Sequence, residues 1–578
     1  GGLEAADDPT RADDTPSYDH GIPVILQTRD VTWDGSGIAG FTARSRIGDI
    51  LAGHATAQGI EALSADPNVI RIDFSRDAGE EELDVSIPAV RADVVHGAPT
   101  DELGANAIVG IIDAGLDVLH EAFRDANGNT RIIALWDQSD NTGPAPQDAN
   151  GNPLYGTLHT RSDIDGMINS GTTPMGLGRD TRSGHGTHVT SIAAGRAAGG
   201  FSGGMAPESG IIFVKPKLET PAGDPLSIGY SLAHVDALSF IDRVARNEGN
   251  GLPVAVNISL GMNAGAHDGT STLEAAFDNF TASGRMPGRV LVKSAGNAAS
   301  QGLHAHFQTG SEQVINLAWQ TRPVRRSSDI IEVWFNSSDD LTFRLIGPGS
   351  AGTTTPVGRN ADIRLNGSFA NGNTFSMVLD RFHRDNGDTQ LTIMITRGTA
   401  ASIEPGIWTL RVESGQVLSA GHVDAWIERR GGTPASFVTQ VAQDGTLSIP
   451  GTAHSVICVA ALDRQMQGQV MSFSSRGSTR DGRRRPDIGA PGNDIVAARA
   501  GTSSGTVAMP GTSMAAPHVT GAIALLLSQQ QASGHGHQLN ANQVRAALSQ
   551  SARGFNGHWN SSRGWGMLDA EALLGLFR

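Results

Sequence analysis

The sequence predicts an α/β protein, with a parallel sheet covered by helices, into which an antiparallel β-sandwich is inserted. Short apolar runs alternate with helical segments from Ala107 to Asn297, and the same alternation resumes after Gly451. Such runs are typical of a parallel sheet that is buried on both faces. Between residues 300 and 447 the hydrophobic period becomes two, which is typical of antiparallel strands. The sandwich is therefore expected to interrupt a single α/β domain.

A small unit is predicted before the parallel domain. Residues 1–20 are acidic and polar, so we expect a flexible tail there. Residues 21–82 are expected to form a compact β/α module that leads into an acidic linker, Gly79–Asp84. The predicted elements of the module are strands at 22–28 and 68–74 and a helical turn at 59–66.

The parallel domain is predicted to consist of residues 83–299 and 448–578, with the sandwich at 300–447 between them. The expected strands of the parallel sheet are 107–113, 211–215, 253–259, 289–294 and 455–462. The expected helices begin at His185 and Asn540 or span 231–247, 273–283 and 513–530. The expected sandwich strands are 313–320, 329–336, 341–348, 362–369, 374–381, 390–397, 407–414 and 422–429, and their spacing favours a jelly roll.

Composition excludes several classes of protein. The 43 Lys and Arg residues against 59 Asp and Glu residues give a net charge of −16, which disfavours binding to the phosphates of nucleic acid. No apolar stretch approaches the roughly 20 residues that a membrane span needs. The single cysteine, Cys458, excludes an intrachain disulfide and a thiolate-rich metal site. The cellular location stays open, with a secreted or extracytoplasmic one favoured.

Three short segments carry residues suited to nucleophilic catalysis. Asp113 ends the apolar run AIVGIID, His185 begins a helix in SGHGTHV, and Ser513 begins another in GTSMAAPHV. Catalytic groups of open parallel sheets gather at the carboxyl ends of strands and at the following helix N-termini, so these three can converge. A serine hydroxyl needs an imidazole to take its proton, and the imidazole needs a carboxylate to fix its tautomer.

In these motifs the sequence resembles the subtilisin-like serine proteases, over about 98–300 and 448–578. The motifs GTSMAAPHV, HGTHV and DAGLD occur in the order Asp, His, Ser that is known for subtilisin. The resemblance implies a parallel sheet of the seven-stranded subtilisin type. It also implies an endopeptidase that works through an acyl-enzyme, with Asp113 as orienting acid, His185 as general base and Ser513 as nucleophile. Asn297 would be the side-chain donor to the oxyanion.

The resemblance also implies where a protein or peptide substrate would bind. Ser259, Leu260 and Gly261 would pair with the substrate backbone, and Ser294, Ala295 and Gly296 would form the opposite wall of the specificity pocket. The floor of that pocket would fall at Leu447–Pro450, which contains no Asp or Glu, so we expect an apolar or small residue before the scissile bond.

Two further features follow from the resemblance. Residues 22–75 resemble an inhibitory propeptide, which implies a self-inhibited precursor whose propeptide is a binding partner of its own catalytic domain. The resemblance also implies that this precursor is cut in the linker at 77–84. The insertion after Asn297 is similar to the jelly roll of the Csp-type germination subtilases.

No cofactor is expected, and calcium stays possible although the usual strong site is expected to be lost. The calcium site of many relatives would need an Asp where this sequence has Ala122, and a polar loop where it has 196–202, RAAGGFS. His185 and His188 lack the third ligand of a zinc site, and we expect His188 to pack behind the base. The pairs His304/His306 and His535/His537 are placed in loops, where zinc is the weaker interpretation.

Two other functions remain open at this point. The protein could be a regulatory binding protein in which the propeptide-like unit stays docked, although the intact catalytic residues favour the protease. The sandwich could instead bind carbohydrate through aromatic stacking, but alternation places most of its tryptophans on the buried face. The tryptophans concerned are Trp319, Trp334, Trp408 and Trp426.

Overall fold

The computed structural model describes residues 21–74, 80–81, 88–148, 150–174, 177, 180, 183–217, 230–324, 326–361, 363–428, 435–463, 468–533, 538–554 and 557–578. The predicted tail at 1–20 and most of the acidic linker lie outside these residues.

The elements before the sandwich are as follows. The N-terminal unit contains β1 (Ile22–Thr28), β2 (Phe41–Ile47), β3 (Ile50–Ala55), α1 (Ala57–Ala65) and β4 (Val69–Phe74). The following strands are β5 (Glu80–Glu81), β6 (Ile108–Ile112), β7 (Ile132–Asp137), β8 (Thr157–Thr160), β9 (Gly210–Lys215), β10 (Val254–Ile258), β11 (Leu260–Gly261) and β12 (Arg289–Ser294). The helices of this part are α2 (Ala92–His96), α3 (Arg161–Ser170), α4 (His185–Ala194), α5 (Tyr230–Asn247) and α6 (Thr272–Phe280).

The sandwich and the last part of the chain complete the set. The sandwich strands are β13 (His304–Gln308), β14 (Val314–Thr321), β15 (Ser328–Phe335), β16 (Leu341–Ile346), β17 (Val357–Gly358), β18 (Arg364–Ser368), β19 (Thr374–Asp380), β20 (Thr389–Thr396), β21 (Gly406–Ser414), β22 (His422–Ile427) and β23 (Ala435–Phe437). The last part contains β24 (Ile457–Leu462), β25 (Ile488–Pro491), β26 (Ile495–Ala498), β27 (Thr506–Met509), α7 (Thr512–Ala532), α8 (Ala541–Ser551) and α9 (Ala570–Gly575).

The central sheet confirms the α/β prediction. Its eight strands lie in the order β25-β24-β12-β10-β6-β9-β7-β8. The first seven run parallel, and β8 pairs antiparallel with β7 at one edge. Val109 and Ile111 face a core that includes α4 and α7, while Ile108 and Ile112 face the core formed with α5 and α6. Burial on both faces explains why these strands are continuous apolar runs.

The N-terminal unit is a four-stranded antiparallel sheet in the order β2-β3-β1-β4. From the sequence, only the first and last strands of this unit, β1 and β4, and the helix α1 were predicted. The strands β2 and β3 were missed because FTARSRI mixes polar with apolar residues and ILAGHA has no period of two. Val24 and Leu26 face the unit's own core with α1, while Ile25 faces the other way.

The inserted residues form two antiparallel sheets that share one core. One sheet has the order β13-β22-β15-β20-β19-β18 and the other β17-β16-β21-β14-β23. All eight predicted strands are present, and β13, β17 and β23 were not predicted. The four tryptophans named above are buried, so no exposed ring face supports the carbohydrate interpretation.

No helix in the described ranges is both long enough and apolar enough to cross a membrane.

Candidate active site

Asp113 and His185 are in direct contact at the carboxyl end of the central sheet. Asp113 directly follows β6, and its Oδ1 lies 2.5 Å from His185 Nδ1. Both side chains are fully buried, and Ala114 N–H also donates to Asp113 Oδ1 at 2.8 Å. A carboxylate on Nδ1 fixes the tautomer in which Nε2 can accept a proton.

The start of α4 is held close to Asp113. Gly186 follows His185, and a Cβ at Gly186 would lie 2.0 Å from the carbonyl oxygen of Gly115, so only glycine fits there. The preceding Gly184 is the N-cap and has no side chain to cap the helix.

Asp180 takes over the capping role at α4, and the sequence interpretation missed it. Its Oδ2 accepts hydrogen bonds from Thr187 N at 3.0 Å and from Thr187 Oγ1 at 2.8 Å. Burial, together with a smaller contribution from the nearby Asp113, raises the pKa of Asp180 to about 6, although the hydrogen bonds from Thr187 act to lower it. The helix that carries His185 is therefore held by a second acidic residue close to Asp113.

Ser513 is the second residue of α7, and its hydroxyl donates to the carbonyl oxygen of Ser259 at 3.2 Å. A chain of hydrogen bonds fixes this contact. Thr520 Oγ1 donates to Asn257 Oδ1 at 3.0 Å, Asn257 Nδ2 donates to Ser259 Oγ at 2.9 Å, and Ser259 Oγ donates to Ser513 O at 2.8 Å. The sequence interpretation missed Asn257 and Thr520, whose role depends on packing between β10 and α7.

Asn297 lies beside the N-terminus of α7. Its Oδ1 accepts hydrogen bonds from Thr512 N at 3.0 Å and from Thr512 Oγ1 at 3.1 Å. The other polar atom of this amide, Nδ2, can only donate hydrogen bonds. The N-terminus of α7 also favours negative charge.

The two segments expected to bind substrate lie on either side of one loop. Leu260 and Gly261 form β11, which pairs antiparallel with Glu81 and Glu80 of β5. On the other side, Ala295 O accepts a hydrogen bond from Ser448 N at 2.8 Å. Ser448 belongs to the segment Leu447–Pro450, which was expected to form the floor of the pocket.

Comparisons with known proteins identify the family. The model of the subtilase family matches residues 104–344 and 398–566, which is more than half of the chain. The chain belongs to the subtilase family.

Solved and curated relatives agree with the family. The CspB protease of Clostridium perfringens has a similar structure with a TM-score of 0.72 and 26% identity, over 85% of this chain and 97% of CspB. The serine protease AprX of Bacillus subtilis is 40% identical over 101 residues, which are 14% of this chain and 23% of AprX. C5a peptidase of Streptococcus pyogenes is 25% identical over 454 residues, 74% of this chain and 35% of that protein. This chain therefore spans about a quarter to a third of the length of these two curated relatives.

Other histidines of this subtilase have structural partners. His188 is buried and its Nε2 donates to Val507 O at 3.1 Å, which agrees with the expectation that it packs behind the base. Burial lowers the pKa of His188 to about 3. The placement of His304 and His306 in a loop is wrong, because both lie on β13 and donate to Asp424 Oδ1 at 3.0 and 2.9 Å.

The described residues of the subtilase offer no metal cluster. In the ranges that the structure describes, no group of three or more His, Cys, Asp or Glu side chains is placed to hold a metal ion. His535 and His537 lie outside those ranges.

At the place of the family's calcium site, the residues do not fit a cation. Ala122 O accepts hydrogen bonds from Arg196 N at 2.8 Å and from the buried Arg131 Nη2 at 2.9 Å. The same Arg131 donates to Ala194 O at 2.5 Å and to Ser209 O at 2.7 Å. A guanidinium already uses these carbonyl oxygens, and its positive charge disfavours a second cation there.

Proposed function

We propose that the protein is a serine endopeptidase that hydrolyses peptide bonds of protein substrates through an acyl-enzyme. Ser513 Oγ attacks the substrate carbonyl carbon while His185 Nε2 takes the hydroxyl proton, and Asp113 stabilises the resulting imidazolium. Collapse of the tetrahedral intermediate passes that proton to the leaving amine. Water then attacks the acyl-enzyme while His185 takes its proton, and His185 returns that proton to Ser513 Oγ as the carboxylic acid product leaves.

The observation that carries this proposal is the contact between Asp113 and His185 at the carboxyl end of the central sheet, where Ser513 also contacts Ser259. In the ground state the Ser513 hydroxyl donates to Ser259 O, so it must turn towards His185 before it attacks. The backbone N–H of Ser513 and the amide of Asn297 would stabilise the oxyanion, because both lie at the N-terminus of α7.

We further infer that the chain is a self-inhibited precursor. β5 pairs antiparallel with β11, the strand with which a substrate backbone would pair in the same way. The sheet of β1–β4 supports this position, because Ile25, Ile47 and Ile50 pack into the core of α5 and α6. Residues 21–82 would thus act as the propeptide. Cleavage in the linker at 77–84 would free β11, which we call the substrate edge, to pair with a substrate.

The sandwich and the metal dependence complete the proposal. The chain passes repeatedly between the two sheets of the insertion, as in a jelly roll. We assign this inserted sandwich a positioning role rather than a catalytic one. We propose no calcium requirement, because Arg131 takes the place of a cation at the family's site.

Covalent labelling of the purified protein with a fluorophosphonate tests the proposal. We expect labelling that increases as the linker is cut, and we expect Ser513→Ala and His185→Ala to abolish both labelling and peptide hydrolysis. Members of a triad act as a unit, so the double variant should be no worse than either single one. Asn297→Ala should lower kcat by about 10²–10³ with little change in KM.

Thr520→Val serves as the matched control, because it disturbs the hydrogen-bond chain to Ser259 without removing a reacting group. It should keep labelling at a reduced rate. A folded, linker-cleaved protein that neither labels nor hydrolyses any peptide would contradict the protease and favour a regulatory binding protein with its N-terminal unit docked.

A further inference from the structure

A lysine lies inside the central sheet, next to the proposed specificity pocket. Lys293 is on β12, directly before the wall segment Ser294–Gly296, and its side chain is fully buried. Its Nζ donates hydrogen bonds to Ser294 O at 2.6 Å, to Ser294 Oγ at 2.8 Å and to Ser448 Oγ at 3.0 Å. A fully buried lysine is uncommon, because removing an ammonium from water is costly.

Distances from the two glycines of the walls place this ammonium at the floor of the pocket. A Cβ at Gly261 would lie 2.6 Å from Ser448 Oγ and 3.1 Å from Lys293 Nζ. A Cβ at Gly296, on the opposite wall, would lie 3.0 Å from Ser448 Oγ. The Ser448 hydroxyl therefore lies between the walls, with the ammonium next to it.

The hydrogen bond from Lys293 also determines that the Ser448 hydroxyl is available as a donor to a ligand. Since Ser448 Oγ accepts from Nζ, its own proton must point elsewhere, and it now makes a long contact of 3.4 Å to Ala295 O. A ligand oxygen at the floor would give that hydroxyl a better acceptor. The floor thus presents an O–H donor backed by a positive charge, which is complementary to a carboxylate.

We propose that Lys293 and Ser448 make the pocket selective for an acidic residue, Glu or Asp, immediately before the scissile bond. This inference rests on the proposed protease function and replaces the expectation of an apolar or small residue. That expectation considered only the floor segment Leu447–Pro450 and not the strand beside it. Lys293 acts on specificity and takes no part in the proton transfers at Ser513.

The strand β5, which pairs with the substrate edge β11, is consistent with a preference for an acidic residue before the scissile bond. Gly261 pairs with Glu80 and Leu260 with Glu81, so the register runs towards Ser259, whose carbonyl accepts the Ser513 hydroxyl. A substrate bound in this register would place the residue before the scissile bond opposite Ser259. In the sequence, the residue that follows Glu81 is Glu82.

The test compares peptides that differ only in the residue before the scissile bond, namely Glu, Gln, Leu or Lys, on the linker-cleaved protein. Charge-assisted hydrogen bonds in a buried site should favour Glu over Gln by about 10- to 100-fold in kcat/KM. Lys293→Met should remove this preference and improve Leu relative to Glu, while fluorophosphonate labelling remains. Arg411→Met removes the same unit charge from the exposed face of β21 and should leave the preference unchanged.

The outcomes separate the two proposals. Loss of all labelling and hydrolysis in the wild type would contradict the protease itself. Hydrolysis in which Gln or Leu equals Glu, or a Lys293→Met variant that keeps the preference for Glu, would overturn only the role of Lys293. If Lys293→Met does not fold, the wild-type panel and Ser448→Ala decide, because Ser448→Ala should weaken the preference for Glu over Gln.

Discussion

The N-terminal sheet and the sandwich differ in how far they share a hydrophobic core with the parallel domain. Ile25, Ile47 and Ile50 of the N-terminal sheet belong to the hydrophobic core that contains α5 and α6. The sandwich has a hydrophobic core of its own, formed between its two sheets. The first unit therefore contributes one face to a core of the parallel domain in addition to its own small core, whereas the main core of the second lies between its own two sheets.

Polar groups provide much of the junction between the sandwich and the parallel domain. Glu428, just after β22, accepts hydrogen bonds from Asn263 N at 3.1 Å and from Ala264 N at 2.7 Å. Arg480 bridges Asp388 of the sandwich and Asp268 of the parallel domain at 2.6 and 3.1 Å.

A stacked pair of rings accompanies these polar contacts. The ring of His267 stacks on Trp426 of β22, with 4.0 Å between ring centroids and 10° between the ring planes. Hydrogen bonds and stacked rings demand a defined geometry, which apolar burial does not.

This difference affects β11, the strand that we propose to bind substrate. The residues that contact the sandwich follow β11 within a few positions, so these directional contacts fix the chain directly after the strand that pairs with β5. They are Asn263, Ala264, His267 and Asp268. The N-terminal sheet combines its apolar burial with polar contacts, because Asp73 accepts a hydrogen bond from Thr272 N at 3.2 Å. Arg71 of β4 joins the two systems, because it contacts Asp385 of the sandwich and donates to Thr270 O at 3.1 Å.

The largest effect is expected where the N-terminal sheet enters the shared core. Ile50→Ala removes a fully buried side chain and leaves a cavity against α5 and α6, which should lower the free energy of unfolding by about 2–5 kcal/mol. Chemical denaturation measures this loss. Val31→Ala is the control, because Val31 is 56% exposed in the same unit, and its effect should stay within about 0.5 kcal/mol. Equal effects would show that Ile50 is not part of a shared core.

A smaller effect is expected at the polar junction. Glu428→Gln keeps the shape of the side chain but turns an amide NH₂ towards the backbone donors Asn263 N and Ala264 N. The loss of a charge-assisted acceptor should lower the unfolding free energy by about 1–3 kcal/mol. Glu413→Gln is the control, because Glu413 is only partly buried and pairs with the exposed Arg411. A Glu428→Gln variant as stable as the wild type would mean that the junction does not depend on these hydrogen bonds.

The sequence predicted those parts of the molecule that depend on local pattern. The buried strands β6, β10 and β12 and the helices that carry His185 and Ser513 follow from hydrophobic runs and motifs within a few residues. The strands β2 and β3 were missed because their faces are decided by partners elsewhere in the chain, α1 on one side and α5 and α6 on the other.

The candidate site shows the same limit. Asp113, His185, Ser513 and Asn297 stand in short motifs and could be named from them. The supporting groups could not, because Asp180, Asn257 and Thr520 act through partners on other segments. Lys293 did leave a signal, since a lysine within the apolar strand RVLVKS must find polar partners when that strand is buried.

The smallest effect is expected from pH at a histidine pair between β13 and β22 of the sandwich. His306 donates to Asp424, which also accepts from His304, and His422 stacks on His306 at 5.3 Å. The hydrogen bond to Asp424 raises the pKa of His306 above its usual value of about 6.5. The protonated form is therefore favoured in the folded state, so its stabilisation is fully present below about pH 6.5 and disappears as the pH rises through the higher folded pKa. His306 is 41% exposed, so solvent screening keeps the effect below about 1 kcal/mol.

Other buried groups titrate in the same range, since burial raises the pKa of Glu274 to about 7. Only a difference between the wild type and a His306 variant therefore isolates the effect of His306. Denaturation of the wild type and His306→Gln between about pH 6 and about pH 8 should show an advantage of the wild type that shrinks as the pH rises. A constant or growing difference would show that the charge of His306 does not stabilise the folded protein.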